Sequence, residues 1–314
     1  MRNYFSFPLR LLCLIGSLLM LTATQAAESD FPIPDNIRPA INFWIKVYTE
    51  ADTQSGFLHD SEDLSIIYTK LGRDRDTINS TRDRIAADLR VLASGRRSGL
   101  STAQQELLDL WGDKATNARL ERAAGNIRWQ LGQSDRFMEG LKRAGAYREH
   151  IESVVLSKGM PIELSILPHV ESSFHPGAYS SAAATGMWQF VRSTAQRFMR
   201  VDYVVDDRLD PYTATYGAMD LLEFNYKALG NWPLALTAYN HGANGIARAV
   251  RDVGSDDIGR IIAEYRGPRF GFASRNYYAQ FLAAREIAAN PHQYFREGVS
   301  YEAPVGPGQY LAAE

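Results

Sequence analysis

A single acidic side chain follows an apolar run near the middle of the chain. Glu171 comes directly after the segment LSILPHV and precedes Ser172 and Ser173. At the C-terminal end of a helix, a carboxylate meets the negative end of the helix dipole, and burial disfavours its charge further. Both effects raise a carboxyl pKa, as a general acid near neutral pH requires. The residues alone leave a simpler interpretation open, an ordinary helix-end glutamate that turns into solvent, and periodicity favours it.

Small residues and then a mixed aromatic and amide surface follow the acid. The run SSAAATG at 180–186 would allow a ligand to approach the backbone closely. Its last residue, Gly186, leads into Met187, Trp188 and Gln189, which together offer apolar faces and one amide for a sugar. For Trp188 alone, packing in the core is the simpler interpretation.

Two further polar clusters occur later in the chain. The segment AYNHG at 238–242 follows an apolar helix and contains Tyr239 and Asn240. It fits either a helix C-cap or a part of a binding site, and the spacing does not decide between them. The segment RNYY at 275–278 contains Tyr277, and an aromatic pair at a helix start more often packs than reacts.

Patterns for metal and nucleophilic chemistry are missing from the sequence. His169 and His175 lack the i, i+4 spacing of a zinc-binding helix, and no cysteines accompany the H-x-E pattern at His169. The chain has no G-x-S-x-G segment and no glycine-rich phosphate loop. The sequence therefore predicts neither a metal site nor a cofactor.

Helices are predicted to position these clusters, so the predicted fold class is mainly α. The segments 74–92 and 102–111 have helical apolar spacing, and 64–71 is a candidate short strand. A helix ending at Gly159 is followed by one that Pro161 begins, which is apolar on nearly every side and so predicted to be buried. Asp210 and Pro211 begin another helix, and Pro233 begins a second buried one.

The N-terminus has the features of an export signal. Arg2 and Arg10 flank the start of an apolar run at 11–21, and Thr24 and Ala26 place small residues before a cleavage point. That run is too short for a stable membrane anchor, so residues 1–26 are predicted to be a cleaved signal peptide. An uncleaved anchor is the alternative. The only cysteine, Cys13, lies in this run, so the mature chain would contain no thiol.

The order of these clusters resembles the lytic transglycosylase (SLT) domain. The segments GMP at 159–161, ELSILPHVESSFHPGAYSSAAATGMWQF at 163–190, Asp210-Pro211, AYNHG and RNYYAQF carry the resemblance, and the membrane-bound lytic murein transglycosylase D type is the most similar subgroup. The resemblance covers about residues 126–290. It implies a lysozyme-like α-helical catalytic domain that cleaves peptidoglycan glycan strands.

The resemblance also implies roles for individual residues. Glu171 falls on the single catalytic acid and base of the family. The substrate groove is expected to involve Ser172, Ser173, Gly186, Met187, Trp188, Gln189, Tyr239, Asn240 and Tyr277. The implied domain boundaries are a signal peptide at 1–26, a mostly helical N-terminal extension at 27–125 packed on the catalytic domain, the SLT-type catalytic domain at 126–292, and a loose tail at 293–314.

The expected activity is cleavage of the β-1,4 bond after N-acetylmuramic acid, with formation of 1,6-anhydromuramic acid ends. The expected partner is the peptidoglycan strand in the periplasm or cell envelope, and a peripheral association with membrane or wall machinery stays open. A formal net charge of −2 gives no case for binding nucleic acid. A lysozyme-type hydrolase, with Asp206 or Asp207 as a second carboxylate, and a non-catalytic glycan-binding protein are the alternatives.

Overall fold

Residues 29–307 are described by a computed structural model, and their N-terminal part combines helices with a small sheet. Short 3-10 helices lie at Asp35–Ile37 and Gly112–Lys114. The other elements of this part are α1 (Arg38–Thr49), β1 (Ser55–Asp60), β2 (Ile67–Gly72), α2 (Arg75–Ala93), α3 (Thr102–Trp111), α4 (Asn117–Gly125) and β3 (Ile127–Leu131).

Side-chain caps fix where the exposed helices of this part begin. The Asp74 carboxylate accepts a hydrogen bond from the Thr77 amide at 2.8 Å, which starts α2. Ser101 and Gln104 form a reciprocal capping box at the start of α3. Each bond satisfies a backbone amide that would otherwise lack a partner in the first helical turn.

The central strand β1 joins two hydrophobic cores. The sheet is antiparallel with the order β2-β1-β3. Successive side chains of a strand point to opposite faces. Accordingly, Phe57 packs in the larger core, whereas Leu58 packs with Leu89, Leu92 and Trp111 in a smaller core under α2, α3 and α4.

The elements of residues 134–307 are almost all helices. Short 3-10 helices lie at Ile162–Ile166 and Asp207–Leu209. The other elements are α5 (Ser134–Ser157), α6 (Leu167–Glu171), β4 (Ala184–Thr185), β5 (Phe190–Val191), α7 (Arg192–Ala195), α8 (Pro211–Leu229), α9 (Trp232–His241), α10 (Ala243–Val253), α11 (Ile258–Glu264), α12 (Phe272–Ala289) and α13 (Pro291–Tyr294).

The larger core is built from both parts of the chain. It contains apolar side chains of α5, α8, α9 and α12, and α1 contributes Ile41, Phe43 and Val47 to the same core. The strand β3, just after residue 126, pairs with β1. One strand of the N-terminal sheet therefore lies beyond the predicted boundary at 126, and the division into 27–125 and 126–292 stays a prediction.

The mainly α fold class is confirmed, and so are most of the predicted helices. The segment 102–111 is α3, and α9 is buried from Trp232 to Ala238. The single helix predicted from Pro161 is wrong, because a 3-10 helix precedes α6. Pro168 has no amide hydrogen to donate to the carbonyl four residues earlier, so a continuous α-helix cannot run through this point. The sequence predicted only β2 of the three-stranded sheet.

The described part of the predicted tail contacts the helical body, and the tail at 293–314 stays a prediction. The amides of Glu302 and Val305 donate to the carbonyls of Lys142 and Ala146 at 2.9 and 3.1 Å, so this segment lies along α5. Gly145 permits the approach, because a Cβ there would be 2.3 Å from the Glu302 carbonyl oxygen. The predicted signal peptide, Cys13 and residues 308–314 lie outside the described residues. Between residues 29 and 307, no helix has both the length and the apolarity to cross a membrane.

Candidate active site

The Glu171 carboxyl group ends α6 and is held by a tyrosine of α12. The Tyr277 hydroxyl donates a short hydrogen bond to Glu171 Oε1. Burial raises the pKa of the Glu171 carboxyl to about 7, and this hydrogen bond opposes the rise because it stabilises the charged form. The group therefore exists as acid and as base in comparable amounts near neutral pH, which suits a residue that donates and then accepts a proton.

A strained turn directly follows the acid. Ser173 and Phe174 both have positive φ, at 52° and 57°, a region that non-glycine residues rarely adopt. The Arg143 guanidinium of α5 stabilises this turn, because its Nε and Nη2 donate to the Ser173 carbonyl at 3.0 and 2.8 Å. Gly140 lies beside the turn, and a Cβ there would be 3.0 Å from the Ser173 Cβ. The turn fixes the direction in which the end of α6 presents Glu171.

The loop that returns past the acid is also held by backbone contacts. Gly186 has φ of 80°, and a Cβ there would be 1.8 Å from the Arg208 carbonyl oxygen. The buried Arg208 side chain donates to the Phe190 carbonyl at 3.1 Å and pairs with Asp206 at 2.6 Å. Gln189 Nε2 donates to the Gly186 carbonyl at 2.8 Å. The glycine at 186 is therefore required by a close backbone approach.

Two predicted groove residues lie in the core instead. The Met187 side chain is 1% exposed and that of Trp188 is 0% exposed, with the indole Nε1 donating to Thr215 Oγ1 at 3.0 Å. Neither side chain therefore offers a surface to a ligand in this structure, and a substrate contact at these two positions stays a prediction. The backbone carbonyls of these two residues accept hydrogen bonds from predicted site residues. Ser172 Oγ donates to Met187 O at 2.7 Å, and the Tyr239 hydroxyl donates to Trp188 O at 2.8 Å.

The Tyr239 and Asn240 side chains lie at the end of α9. Burial and the Glu171 charge raise the pKa of the Tyr239 hydroxyl well above its usual value. Asn240 Oδ1 accepts a hydrogen bond from the Ser274 hydroxyl of α12 at 3.1 Å. The end of α9 and the start of α12 are thus tied together beside Glu171.

An open hollow of about 690 Å³ exposes the acid to ligands. Ser172, Ser173 and Gln189 line this hollow with Glu171, so four predicted site residues share one surface. Tyr239 and Asn240 line a second hollow of about 940 Å³, and the Tyr239 hydroxyl reaches the Trp188 carbonyl beside Gln189 of the first. Tyr277 is 4% exposed and contacts the acid, so the structure gives it a positioning contact with Glu171 and almost no surface for substrate.

The carboxylates named for a hydrolase are engaged elsewhere. Asp206 pairs with Arg208, and Asp207 Oδ2 accepts from the Arg200 amide at 2.9 Å. Asp135 and Glu139 of α5, which the sequence did not single out, do line the Glu171 hollow. Asp135 accepts hydrogen bonds from the Thr53 amide and hydroxyl, whereas Glu139 pairs with Lys142 at 2.8 Å.

Comparison with known proteins finds one domain family that matches part of the chain. Residues 156–262 match the Transglycosylase SLT domain. The chain is 35% identical over 161 residues to membrane-bound lytic murein transglycosylase D from each of two Escherichia coli strains, K12 and CFT073, across 48% of this chain and 33% of each relative. It is 33% identical over 113 residues to an Alteromonas sp. (strain M-1) protein whose name refers to tributyltin chloride resistance, across 35% of this chain and 55% of that one.

These matches cover a limited share of each relative. The chain spans about a third of the length of the Escherichia coli relatives and about half of the Alteromonas protein. The matched domain contains Glu171, the loop through Gln189 and the end of α9, whereas Tyr277 lies beyond residue 262. Residues 156–262 of this chain are therefore similar to the Transglycosylase SLT domain.

Proposed function

We propose that this protein is a lytic transglycosylase that cleaves peptidoglycan glycan strands between N-acetylmuramic acid and N-acetylglucosamine. The observation that carries the proposal is the partly buried Glu171, which has a pKa of about 7 and opens into a groove beside Tyr239 and Gln189. The SLT-domain match and the likeness to lytic murein transglycosylase D support the choice of substrate.

The proposed reaction uses one protein carboxyl group twice. Protonated Glu171 donates its proton to the glycosidic oxygen, and the C1–O4 bond breaks to release the N-acetylglucosamine hydroxyl. The acetamido oxygen of the muramic acid stabilises C1, as in substrate-assisted glycosidases. The Glu171 carboxylate then takes the proton of the C6 hydroxyl, whose oxygen bonds to C1. The products are a 1,6-anhydro end and a regenerated acid, and no water is consumed.

Intramolecular attack removes the need for a second carboxylate. The C6 oxygen belongs to the same sugar as C1, so it attacks at a high effective concentration. In this proposal the sugars contact Gln189, Ser172, Ser173 and Asn240. Tyr239 and Tyr277 instead position the groups around the acid. Gly186 allows the loop to close on Arg208.

Digestion of purified sacculi tests the proposal. The protein is expected to release muropeptides that are lighter by one water than hydrolytic products, as mass spectrometry detects. Glu171→Gln keeps the shape of the side chain but removes the acid, and is expected to lower the rate by about 10²–10⁴-fold. A Glu163→Gln variant is the matched control, because that glutamate lies in the preceding 3-10 helix and faces neither hollow. Full activity in Glu171→Gln would overturn the proposal.

A lysozyme-type hydrolase is the second candidate, and one observation favours it. Asp135 lines the same hollow as Glu171 and could position water if the separation is about 6.5–9.5 Å. Reducing ends in the digest, lost in Asp135→Asn, would support hydrolysis. Anhydro ends that persist in Asp135→Asn would contradict it.

We also propose that the chain is exported to the cell envelope, where its substrate lies. The charged, apolar and small-residue segments of residues 1–26 support this placement. The mass of the protein from a periplasmic extract is expected to correspond to a chain that begins at Ala27. A membrane-bound chain that keeps residues 1–26 would favour the uncleaved anchor instead.

A further inference from the structure

The hollow that contains Tyr239 and Asn240 is lined by cations and lacks acids. Three arginines reach it from three different segments: Arg197 after α7, Arg248 on α10 and Arg269 between α11 and α12. Among the described residues that line this hollow, none is an aspartate or a glutamate. We call it the arginine hollow.

The three arginines have no carboxylate partner among residues 29–307. Arg197 lies over the rings of Phe198 and Phe224, at 5.3 and 4.8 Å from their centroids, and these contacts leave its N–H groups available. Arg248 and Arg269 form no ion pair with the described chain. Elsewhere the exposed arginine Arg260 pairs with Glu264 at 2.9 Å. The hollow therefore gathers three cations that form no ion pair with a carboxylate of residues 29–307.

Other groups that line the hollow favour an anion as well. The helix α10 begins at Ala243, and no side chain caps it, so the positive end of its dipole faces this space. At the floor, the buried Asn225 amide donates only one bond, to the Ala235 carbonyl at 3.2 Å, and its second N–H stays available. The three arginines, the N-terminus of α10 and the Asn225 amide thus line one hollow, and each of them favours an anion there.

The arginine hollow lies close to the hollow that contains Glu171. Tyr239 lines the arginine hollow, and its hydroxyl donates to the carbonyl of Trp188, whose neighbour Gln189 lines the Glu171 hollow. In peptidoglycan, the muramic acid at the cleaved bond carries a peptide on its lactyl group. The lactyl carboxyl is itself amide-bonded to the peptide, so the free carboxylates of that peptide are the anions that a strand bound at Glu171 brings with it.

We propose that the arginine hollow binds the carboxylates of the stem peptide and makes the enzyme select glycan strands that carry peptides. This inference rests on the proposed transglycosylase function. Arg248 and Arg269 would form charge-assisted hydrogen bonds with the peptide carboxylates. Arg197 would add to the positive electrostatic potential in the hollow. Strands without peptides would bind through the sugar groove alone.

The test compares three substrates from one preparation of glycan strands. One keeps its peptides, one has lost them to an amidase that leaves a free lactyl carboxylate on the sugar, and one keeps peptides whose carboxylates are converted to amides. The protein is expected to show a kcat/KM about tenfold higher on the first than on the other two. In a variant that combines Arg248→Gln with Arg269→Gln, this preference is expected to disappear, while the rate on denuded strands is unchanged.

Arg251→Gln is the matched control, because Arg251 belongs to α10 but does not line the arginine hollow. It is expected to keep the preference. Equal rates of the native protein on all three substrates would overturn the inference, as would an equal loss on every substrate in the double variant. A native protein that forms no anhydro ends from any substrate would instead overturn the proposed function. Preference for peptide strands that survives amidation would show that the carboxylates are not what is recognised.

Discussion

Glu171 and Tyr277 join segments that are 106 residues apart in the chain, and their contact balances two opposing effects on one proton. Burial penalises the charged carboxylate, and the phenol hydrogen bond stabilises it. Without the hydroxyl the acid would be harder to ionise, and without burial it would be ionised too early to donate. The pair keeps the pKa of Glu171 at about 7.

At this scale we predict a loss of activity as the pH rises. The first step needs protonated Glu171, and its pKa is raised to about 7, so the protonated fraction falls as the pH passes that value. Initial rates of anhydro-product release between pH 5 and 9 should decline about tenfold per pH unit above the pKa. A rate that stays constant to pH 9 would contradict the assignment of Glu171 as the acid.

A second prediction concerns the tyrosine hydroxyl. Tyr277→Phe removes a hydrogen bond that lowers the pKa of Glu171, so the decline in rate should move to higher pH while the maximal rate falls. The matched control is Tyr278→Phe, since the neighbouring hydroxyl donates to the Pro32 carbonyl at 2.8 Å and not to the acid. The measurement is the pH dependence of the rate in each variant. A shift in both variants would mean that the effect is a general loosening of α12 and not the loss of the hydrogen bond to Glu171.

The burial of Trp188 shows where sequence reasoning at single residues succeeds and fails. Spacing alone favoured core packing for this residue, whereas the family resemblance suggested the groove, and its indole is fully buried against Thr215. Glu171 and Tyr277 could be named from ordered motifs. Arg143 and Arg208 could not be named, because each donates to backbone carbonyls. Every residue type has a backbone carbonyl, so the sequence does not indicate which carbonyl an arginine will contact.

At the scale of elements, the acid is positioned by a short helix and two tight loops. The helix α6 has five residues, too few to be stable alone, so neighbouring contacts must fix its direction. The Arg143 contact holds the turn after it, and the approach of Gly186 to Arg208 holds the returning loop. The hydrophobic pattern predicted a helix here but could not reveal the interruption before α6 or the strained turn after it.

Gly186→Ala tests the returning loop. A Cβ at this position would meet the Arg208 carbonyl at 1.8 Å and would also disfavour the positive φ, so the free energy of unfolding should fall by about 2 kcal/mol or more. Urea unfolding measures the change. Gly125→Ala is the control, because a Cβ there meets no atom within 4 Å and the φ is not positive. Equal stability of both variants would show that the loop relaxes around the added methyl group.

At the scale of the whole molecule, the two cores share the strand β1 and the larger core includes α1. The residues that match the SLT domain therefore form only a part of one packed body. The sequence patterns located the helices well but could not show that β1 contributes to both cores. Apolar residues on both faces of β1 indicate only that the strand is buried, and leave open which elements cover it.

Deletion of residues 27–125 is predicted to leave an insoluble or unfolded product. It removes Ile41, Phe43 and Val47 from the larger core and takes away the partner of β3, exposing apolar surface and a strand edge. Solubility after expression, and the near-ultraviolet circular dichroism of any soluble fraction, measure the outcome. A soluble fragment with full lytic activity would show that residues 126–314 fold alone.

Three contacts made within about one turn of α12 limit how the length of this helix can change. Ser274 contacts Asn240, Tyr277 contacts Glu171, and Tyr278 contacts Pro32 in the N-terminal segment. Inserting one residue into a helix rotates everything beyond it by about 100°. An insertion between Ser274 and Tyr277 would thus withdraw the phenol from the acid and the next ring from Pro32 together. Related chains should therefore vary in length before Phe272 or after Ala289, and keep this register inside the helix.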